Sequence, residues 1–306
     1  MTALRTGAFA KGHGTGNDFV LIADPDGSTP LTAERVRQLA DRRFGVGGDG
    51  VIRAVRAGAT GDQALDDAPA GTWAMDYWNA DGSLSEMCGN GVRVFVRFLL
   101  EEQLAELEDG SAIDVATRAG TKRVVRRGDL LSVDLGRFEL GGDRLVAAHG
   151  LDVARPGLDV STGNPHVVVA LASEEELEAL QLHAAPALDP VAASGANVEF
   201  VVPGAIADGI GAIRMRVHER GSGETLSCGT GAVAAAVATR HWSGDAADRW
   251  IVDVPGGRLE VEVDERGHAW LTGPAQIVFR ATAAQPGAGA AARPATDEPE
   301  RISPVL

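Results

Sequence analysis

Cys88-Gly89-Asn90-Gly91-Val92-Arg93-Val94-Phe95-Val96-Arg97-Phe98-Leu99-Leu100 is a glycine-punctuated turn running into a stretch whose apolar positions cover most of a helical circumference. A helix that is apolar nearly all round is buried by neighbours on several sides. The frame returns 140 positions later (228 − 88 = 140) as Cys228-Gly229-Thr230-Gly231, which opens a second apolar helix over residues 232–239. In each copy a polar side chain, Asn79 or Glu219, precedes the cysteine by nine positions (88 − 79 = 228 − 219 = 9). A second pair lies upstream: Gly16-Asn17-Asp18-Phe19-Val20 matches Gly163-Asn164-Pro165-His166-Val167. Two motifs repeated in the same order argue for a duplicated architecture, with two equivalent cysteines facing one cleft.

Working outward, residues 12–16 read as a Gly-rich turn and 19–22 as the strand after it. Residues 32–43 read as a helix with Thr32 as its N-cap. Strands are expected at 51–55, 73–78, 112–115, 122–125, 130–135, 167–171, 199–202, 213–217, 250–254, 259–263, 269–272 and 277–280, with a short helix at 173–180. The pattern is α/β of the α+β kind. Its halves are expected at 1–131 plus 274–282, carrying Cys88, and at 132–273, carrying Cys228. The last strand returns to the first half. From about residue 283 the chain is rich in Pro, Ala, Gly and Glu, the composition of a disordered tail.

At 306 residues and 44% hydrophobic, the chain is long enough to bury a real core. A net charge of −15, with no Lys/Arg block, argues against nucleic-acid binding. No apolar run reaches the ~18 residues of a membrane span, and no signal-peptide pattern precedes the first strand, so a cytoplasmic location is expected. Two cysteines in so long a chain do not make a disulfide framework. They are 140 positions apart, without a CxxC or HExxH motif, so no metal site is expected. The Gly12–Gly16 stretch lacks Gly-x-Gly-x-x-Gly spacing, which argues against a dinucleotide site. Lys11 and Lys122 are the only lysines and neither sits in a cofactor motif, so pyridoxal phosphate chemistry is not expected either.

Inverting a carbon centre requires removing a proton from one face and delivering another to the opposite face. Two thiols, one charged and one neutral, suit that task because a thiol ionises near ~8.5. At a helix N-terminus the free N–H groups and the helix dipole favour the thiolate. The same N–H groups, on Gly89, Asn90, Gly229 and Thr230, are placed to grip a carboxylate as negative charge builds on it.

The motifs 11–19, 79–83, 87–91, 163–166, 197–199 and 217–221 leading into 227–231 together resemble the diaminopimelate epimerase family, from about Phe9 to Phe279. The resemblance implies two similar halves, each a curved, mostly antiparallel sheet or barrel around a central helix. It implies cofactor-free interconversion of LL- and meso-2,6-diaminopimelate in lysine and peptidoglycan precursor synthesis, with Cys88 and Cys228 as the two bases. Asn17, Asn79, Asn164, Asn197, Glu219 and Arg220 would bind the substrate's amino and carboxylate groups, Arg220 as a bidentate partner of the distal carboxylate. Glu219 and His166 would assist near the reacting carbon. A homodimer is implied, with Phe279 in its interface strand. Where the family often carries Gln, after the Gly-x-Asp turn, this chain has Gly50, which offers no side chain.

Two other readings compete. A proline racemase-like enzyme would also use two cysteines, but proline has no second charged end for Glu219 and Arg220 to recognise. A binding or redox protein would join Cys88 to Cys228 in a disulfide, which requires Cα atoms within ~7 Å. His13 and His218 read as positional residues.

Overall fold

The computed structural model describes residues 8–282. The expected tail lies outside them. The first half of the chain runs β1 (Ala8–Gly14), β2 (Asn17–Ala23), α1 (Ala33–Ala40), β3 (Gly50–Arg56), α2 (Gln63–Asp66), β4 (Trp73–Asn79), α3 (Gly89–Glu101), β5 (Ala112–Thr117), β6 (Gly120–Arg127) and β7 (Leu130–Arg137). The second runs β8 (Glu139–Ala147), β9 (Arg155–Ser161), β10 (Pro165–Ala170), α4 (Glu174–Ala179), β11 (Ala187–Asp189), β12 (Asn197–Ala207), β13 (Ile210–Glu219), β14 (Gly223–Thr225), α5 (Gly229–Trp242), β15 (Arg249–Val254), β16 (Gly257–Val263), β17 (His268–Gly273) and β18 (Gln276–Thr282).

The pairing repeats between the halves. β2 runs parallel to β3, β3 antiparallel to β4, β4 parallel to β5, and β5, β6 and β7 follow as antiparallel neighbours. In the same way β10 runs parallel to β12, β12 antiparallel to β13, β13 parallel to β15, and β15, β16 and β17 follow antiparallel. Register repeats too: Phe19 faces Gly50 as His166 faces Asn197, and Leu21 faces Ile52 as Val168 faces Glu199. The halves do not keep separate sheets or closed barrels. β7 pairs antiparallel with β17, which makes one continuous curved sheet, and Thr272 donates its hydroxyl to Ser132 Oγ at 2.8 Å across that seam. At the far edge β18 returns to pair with β1.

Each half wraps its sheet around one helix. In α3, residues Gly89 to Val96 are all buried, as are Phe98 and Leu99; in α5, Gly229 to Thr239 are buried without a break. The small residues Ala232, Ala234, Ala235, Ala236 and Ala238 let the sheet close in around α5. Both helices are stabilised chiefly by this burial, since short helices are marginal by themselves.

Several sequence expectations shift. The Gly-rich stretch 12–16 is not all turn: Lys11, Gly12 and His13 pair with β2, and only Thr15 and Gly16, at φ 51° and 85°, turn the chain. The helix expected at 32–43 keeps its Thr32 N-cap but stops at Ala40, where Asp41 is extended and accepts from the backbone N–H groups of Arg43 and Phe44. β8, β9, β11 and β14 lack a clear hydrophobic alternation; five consecutive residues of β8, Glu139 to Asp143, are exposed. Among the described residues no helix is long and apolar enough to cross a membrane.

Candidate active site

The two cysteines occupy the same structural position. Each is the N-cap of its buried helix with extended backbone, φ −142° and ψ 120° at Cys88, φ −113° and ψ 116° at Cys228. Each sulfur replaces the usual capping oxygen: Gly91 N–H donates to Cys88 Sγ at 3.4 Å and Gly231 N–H to Cys228 Sγ at 3.3 Å. Both thiols are free.

Both sulfurs face one cleft of about 550 Å³ between the halves. The first turns of the two helices line it through Gly89, Asn90, Gly229 and Thr230, where N–H groups have no partner within the helix. The helix starts touch, a Cβ on Gly229 falling 3.2 Å from Asn90 N. Asn90 binds the halves together, donating through Nδ2 to the Ser227 carbonyl at 3.1 Å and to Ser227 Oγ at 3.2 Å.

The repeated asparagines sit beside the helix starts. Cys88 Sγ donates to Asn17 Oδ1 at 3.3 Å, and Asn17 is held from behind by donating to Asp49 Oδ2 at 2.7 Å. Asn164 donates to Thr230 Oγ1 at 3.4 Å, and that hydroxyl lies 3.5 Å from Cys228 Sγ. Asn79, Asn197, Glu219 and Arg220 also line the cleft. Asn197 Oδ1 accepts the backbone N–H of Arg220 at 2.9 Å, and Arg220 Nη1 donates to the Ser194 carbonyl at 2.9 Å. That fixes the guanidinium while leaving its other donors for a ligand. Glu219 accepts a hydrogen bond from the Thr225 hydroxyl.

His166 is the exception among the expected site residues. It does not line the cleft. Its ring is fully buried behind Asn164, with Nε2 3.0 Å from Asn164 Oδ1 and Nδ1 2.8 Å from Glu199 Oε1. It reaches the cleft only through Asn164. His13 and His218 are also held in structural contacts, His13 accepting from Gly16 N–H at 3.3 Å and His218 2.7 Å from the Leu182 carbonyl. Gly50 lies outside the lining. A side chain there is blocked, since a Cβ would fall 2.4 Å from the Trp78 carbonyl oxygen and 2.6 Å from the Tyr77 ring.

The electrostatics differ from what helix capping alone suggests. Burial pushes Cys88 up to about 11, with the Glu219 charge adding to it and the Gly91 and Asn90 N–H groups and Arg93 opposing. Burial also raises Cys228, reinforced by Glu219 and Glu199. Here desolvation outweighs the helix N-terminus at both sulfurs, against the lowering that the helix start alone predicts. Burial raises Glu219 as well, with Glu199 and Asp49 adding to the shift.

Other lining residues escaped the sequence. Lys122 and Arg137 stand at the cleft from β6 and β7, and Tyr77 packs edge-on against Phe19 beside Cys88. Lys122 reads in the sequence as the start of a strand and as a lysine outside any cofactor motif, and Arg137 carries no local motif at all. Arg93 is fully buried and donates to Asn90 Oδ1 at 2.8 Å and to the Gly89 carbonyl at 3.2 Å. Its sequence signal, one arginine inside an apolar helix, was hidden in the run that surrounds it.

The chain can be set beside known proteins. The diaminopimelate epimerase family model matches residues 9–140 and 159–278. The diaminopimelate epimerase of Thermobifida fusca is 46% identical over 277 residues, covering 88% of this chain and 95% of that protein. The diaminopimelate epimerase of Streptomyces coelicolor is 44% identical over 281 residues, covering 89% and 93%. Among solved structures, a Bacillus anthracis phenazine biosynthesis protein of the PhzF family superposes with a TM-score of 0.66 at 17% identity, covering 91% of this chain and 99% of that one. A hydroxyproline epimerase from Agrobacterium vitis gives 0.57 at 15% identity, covering 90% and 91%. These two show a shared fold. The duplicated cysteine-capped helices, the asparagines beside them and the match along nearly the whole chain lead to one assignment: this chain belongs to the diaminopimelate epimerase family.

Proposed function

We propose that this chain interconverts LL- and meso-2,6-diaminopimelate without a cofactor, Cys88 and Cys228 acting as the acid–base pair. The observation that carries the reading is geometric. Two thiols from equivalent helix starts line one cleft together with Asn17, Asn79, Asn164, Asn197, Glu219 and Arg220.

One sulfur, as thiolate, takes the proton from the α-carbon. The electron pair left behind spreads into the adjoining carboxylate, which rests on the N–H groups of Gly89, Asn90, Gly229 and Thr230. Those donors stabilise the developing charge more than the ground state, which is what accelerates the step. The other sulfur, as thiol, gives its proton to the opposite face. Each turnover exchanges the protonation states of the two sulfurs. The distal carboxylate pairs with Arg220, and the asparagines hold the remaining amino and carboxylate groups. Glu219 faces the α-ammonium group, whose positive charge offsets the burial that raises both thiols. His166 holds Asn164 and acts through it.

The two halves are 1–131 plus 274–282 and 132–273, the division falling within β7, the strand that joins them. A homodimer forms through β18, where Val278 and Phe279 are exposed. The enzyme works in the cytoplasm, in lysine and peptidoglycan precursor synthesis.

The test is to incubate the reduced protein with LL-diaminopimelate in D2O and follow the α-proton by NMR. Loss of that signal with appearance of the meso isomer, absent in Cys88→Ala and Cys228→Ala, is expected. No exchange with diaminopimelate would overturn the reading, and exchange with proline instead would move the chain to the proline-type enzymes.

A further inference from the structure

The two cysteines sit in matching backbone but unlike charge. In the repeat, Phe19 and Ile52 in the first half stand where His166 and Glu199 stand in the second, as the shared register of the strand pairs requires. Below Cys88 the wall is therefore apolar: a Cβ on Gly91 would meet Ile52 and Phe19, both at 3.5 Å. Below Cys228 it is acidic: a Cβ on Gly231 would lie 2.5 Å from Glu199 Oε1 and 3.2 Å from Cys228 Sγ.

The helices differ in the opposite sense. Five positions after Cys88 comes Arg93; five after Cys228 comes Val233 (88 + 5 = 93, 228 + 5 = 233). Both side chains are fully buried. Val233 shows that the fold does not need a charge at this position. Arg93 has no carboxylate partner among the described residues. Its hydrogen bonds go to two neutral oxygens, of Gly89 and Asn90, and its Nε has none. Gly14 and Gly273 leave room for it, since a Cβ on either would fall 3.2–3.4 Å from guanidinium nitrogens. A guanidinium stays protonated in proteins. A buried charge without an opposite charge is costly, so Arg93 favours whichever nearby group can become an anion close to the start of α3. Cys88 stands at that start, one and a half turns before Arg93.

We propose that Arg93 is a positioning residue that makes Cys88 the first of the two thiols to ionise, so that when the pair loses its first proton the charge settles on Cys88 and Cys228 keeps its proton. The inference deepens the two-thiol reading above and adds a direction to it. The other groups facing the sulfurs agree. Cys88 is met by Asn17 from β2, Tyr77 from β4 and Glu219 from β13; Cys228 by Glu199 from β12, Glu219 from β13 and Thr230 on its own helix. Glu219 opposes ionisation of both, so it does not rank them. Arg93 favours ionisation at Cys88, and Glu199 opposes it at Cys228.

The test needs no substrate. Alkylation by iodoacetamide is followed separately at each cysteine by peptide mass spectrometry, at about the pH where a free thiol is half ionised. Arg93→Gln keeps an N–H donor near Asn90 and removes only the charge. It should slow alkylation of Cys88 about tenfold or more, equivalent to one unit of thiol pKa, while Cys228 changes less than about threefold. Arg93→Lys should restore most of the Cys88 rate. An unchanged Cys88 rate, or equal changes at both cysteines, would overturn the proposal. A second measurement stands apart from any Arg93 variant. Thiolate ultraviolet absorbance is titrated in Cys228→Ala, which leaves only Cys88, and in Cys88→Ala, which leaves only Cys228. Cys88 should ionise at the lower pH; the reverse order or equality would refute the inference. A protein that fails the epimerase assay but keeps this order would sink the proposed function and leave the charge assignment intact.

Discussion

Alanine at two equivalent glycines, Gly91 and Gly231, should have unequal consequences. Both lie in the first turn of a buried helix and both donate their N–H to the capping sulfur. In an isolated helix, Gly→Ala adds about 0.5–1 kcal/mol of stability. At Gly91 the new Cβ meets Cys88 Cβ at 3.3 Å, which needs a shift of a few tenths of an ångström, and the ends of Ile52 and Phe19 at an ordinary 3.5 Å. Gain and strain nearly cancel, and Gly91→Ala should stay within about 1 kcal/mol of the parent. At Gly231 the Cβ would fall 2.5 Å from Glu199 Oε1. That oxygen is not free to move: Glu199 is fully buried and held by His166 at 2.8 Å. Overpacking of this kind costs about 1–3 kcal/mol, and displacing the His166–Glu199 contact adds about 1 kcal/mol or more. Against the helical gain, Gly231→Ala should lose about 1–3 kcal/mol. Urea unfolding of both variants measures the difference. Equal losses, or a stable Gly231→Ala protein, would refute the claim that the two halves share backbone but not their buried charge.

Glu219→Gln should abolish most turnover yet not weaken the fold at neutral pH. Burial raises Glu219. The unfolded chain therefore ionises first as pH rises, and the wild type loses stability from about the ordinary carboxylate range up through the folded-state value. Gln is free of that loss, so its melting temperature should equal or exceed the parent's at neutral pH. The gap should close in acid, and a Gln variant that melts lower at neutral pH would contradict the direction of the shift. Asp76→Ala should cost about 3 kcal/mol or more. Asp76 accepts from Arg53 Nε at 2.8 Å, Arg118 Nη2 at 2.5 Å and Trp78 Nε1 at 2.8 Å, the carboxylate and both guanidinium groups lying nearly out of solvent. A loss below about 1 kcal/mol in urea would mean the cluster is hydrated rather than buried. For the free enzyme, kcat/KM should keep rising with pH across the alkaline range, because Cys88 is pushed up to about 11. A plateau beginning near neutrality would show that one thiol is already charged before substrate arrives.

The duplicated frame was legible because it is written in residues that do one thing each. Glycines after a cysteine permit the cap, and an asparagine after glycine marks a turn. These local rules are enough to bring Asn17, Asn164, Cys88 and Cys228 to one cleft without any long-range contact. What stayed hidden depends on burial. The helix N-terminus predicts a lowered thiol, but the depth of Cys88 and Cys228 reverses the sign. His166 reads as a site residue because the Gly-Asn-Pro-His motif carries it, yet its ring packs behind Asn164 and against Glu199, out of the cleft. Arg93 vanished in the count of apolar positions around it. Residues 12–16 read as a turn because glycine is ambiguous: Gly12 and Gly14 belong to a strand, and of the three glycines only Gly16 needs the left-handed conformation. The seam between β7 and β17 joins residues more than a hundred positions apart and has no local signature.

The pairing of β1 with β18 places Ala8 opposite Thr282. During synthesis from the N-terminus, β1 can find β2 at once but must wait for nearly the entire described chain before its other edge is covered. The second half has no such delay, because its equivalent outer pair, β8 with β9, is contiguous in sequence. On the ribosome, then, the later-made half can complete its sheet while the earlier-made half still carries an open strand edge, the kind of surface that chaperones shield and that aggregation exploits.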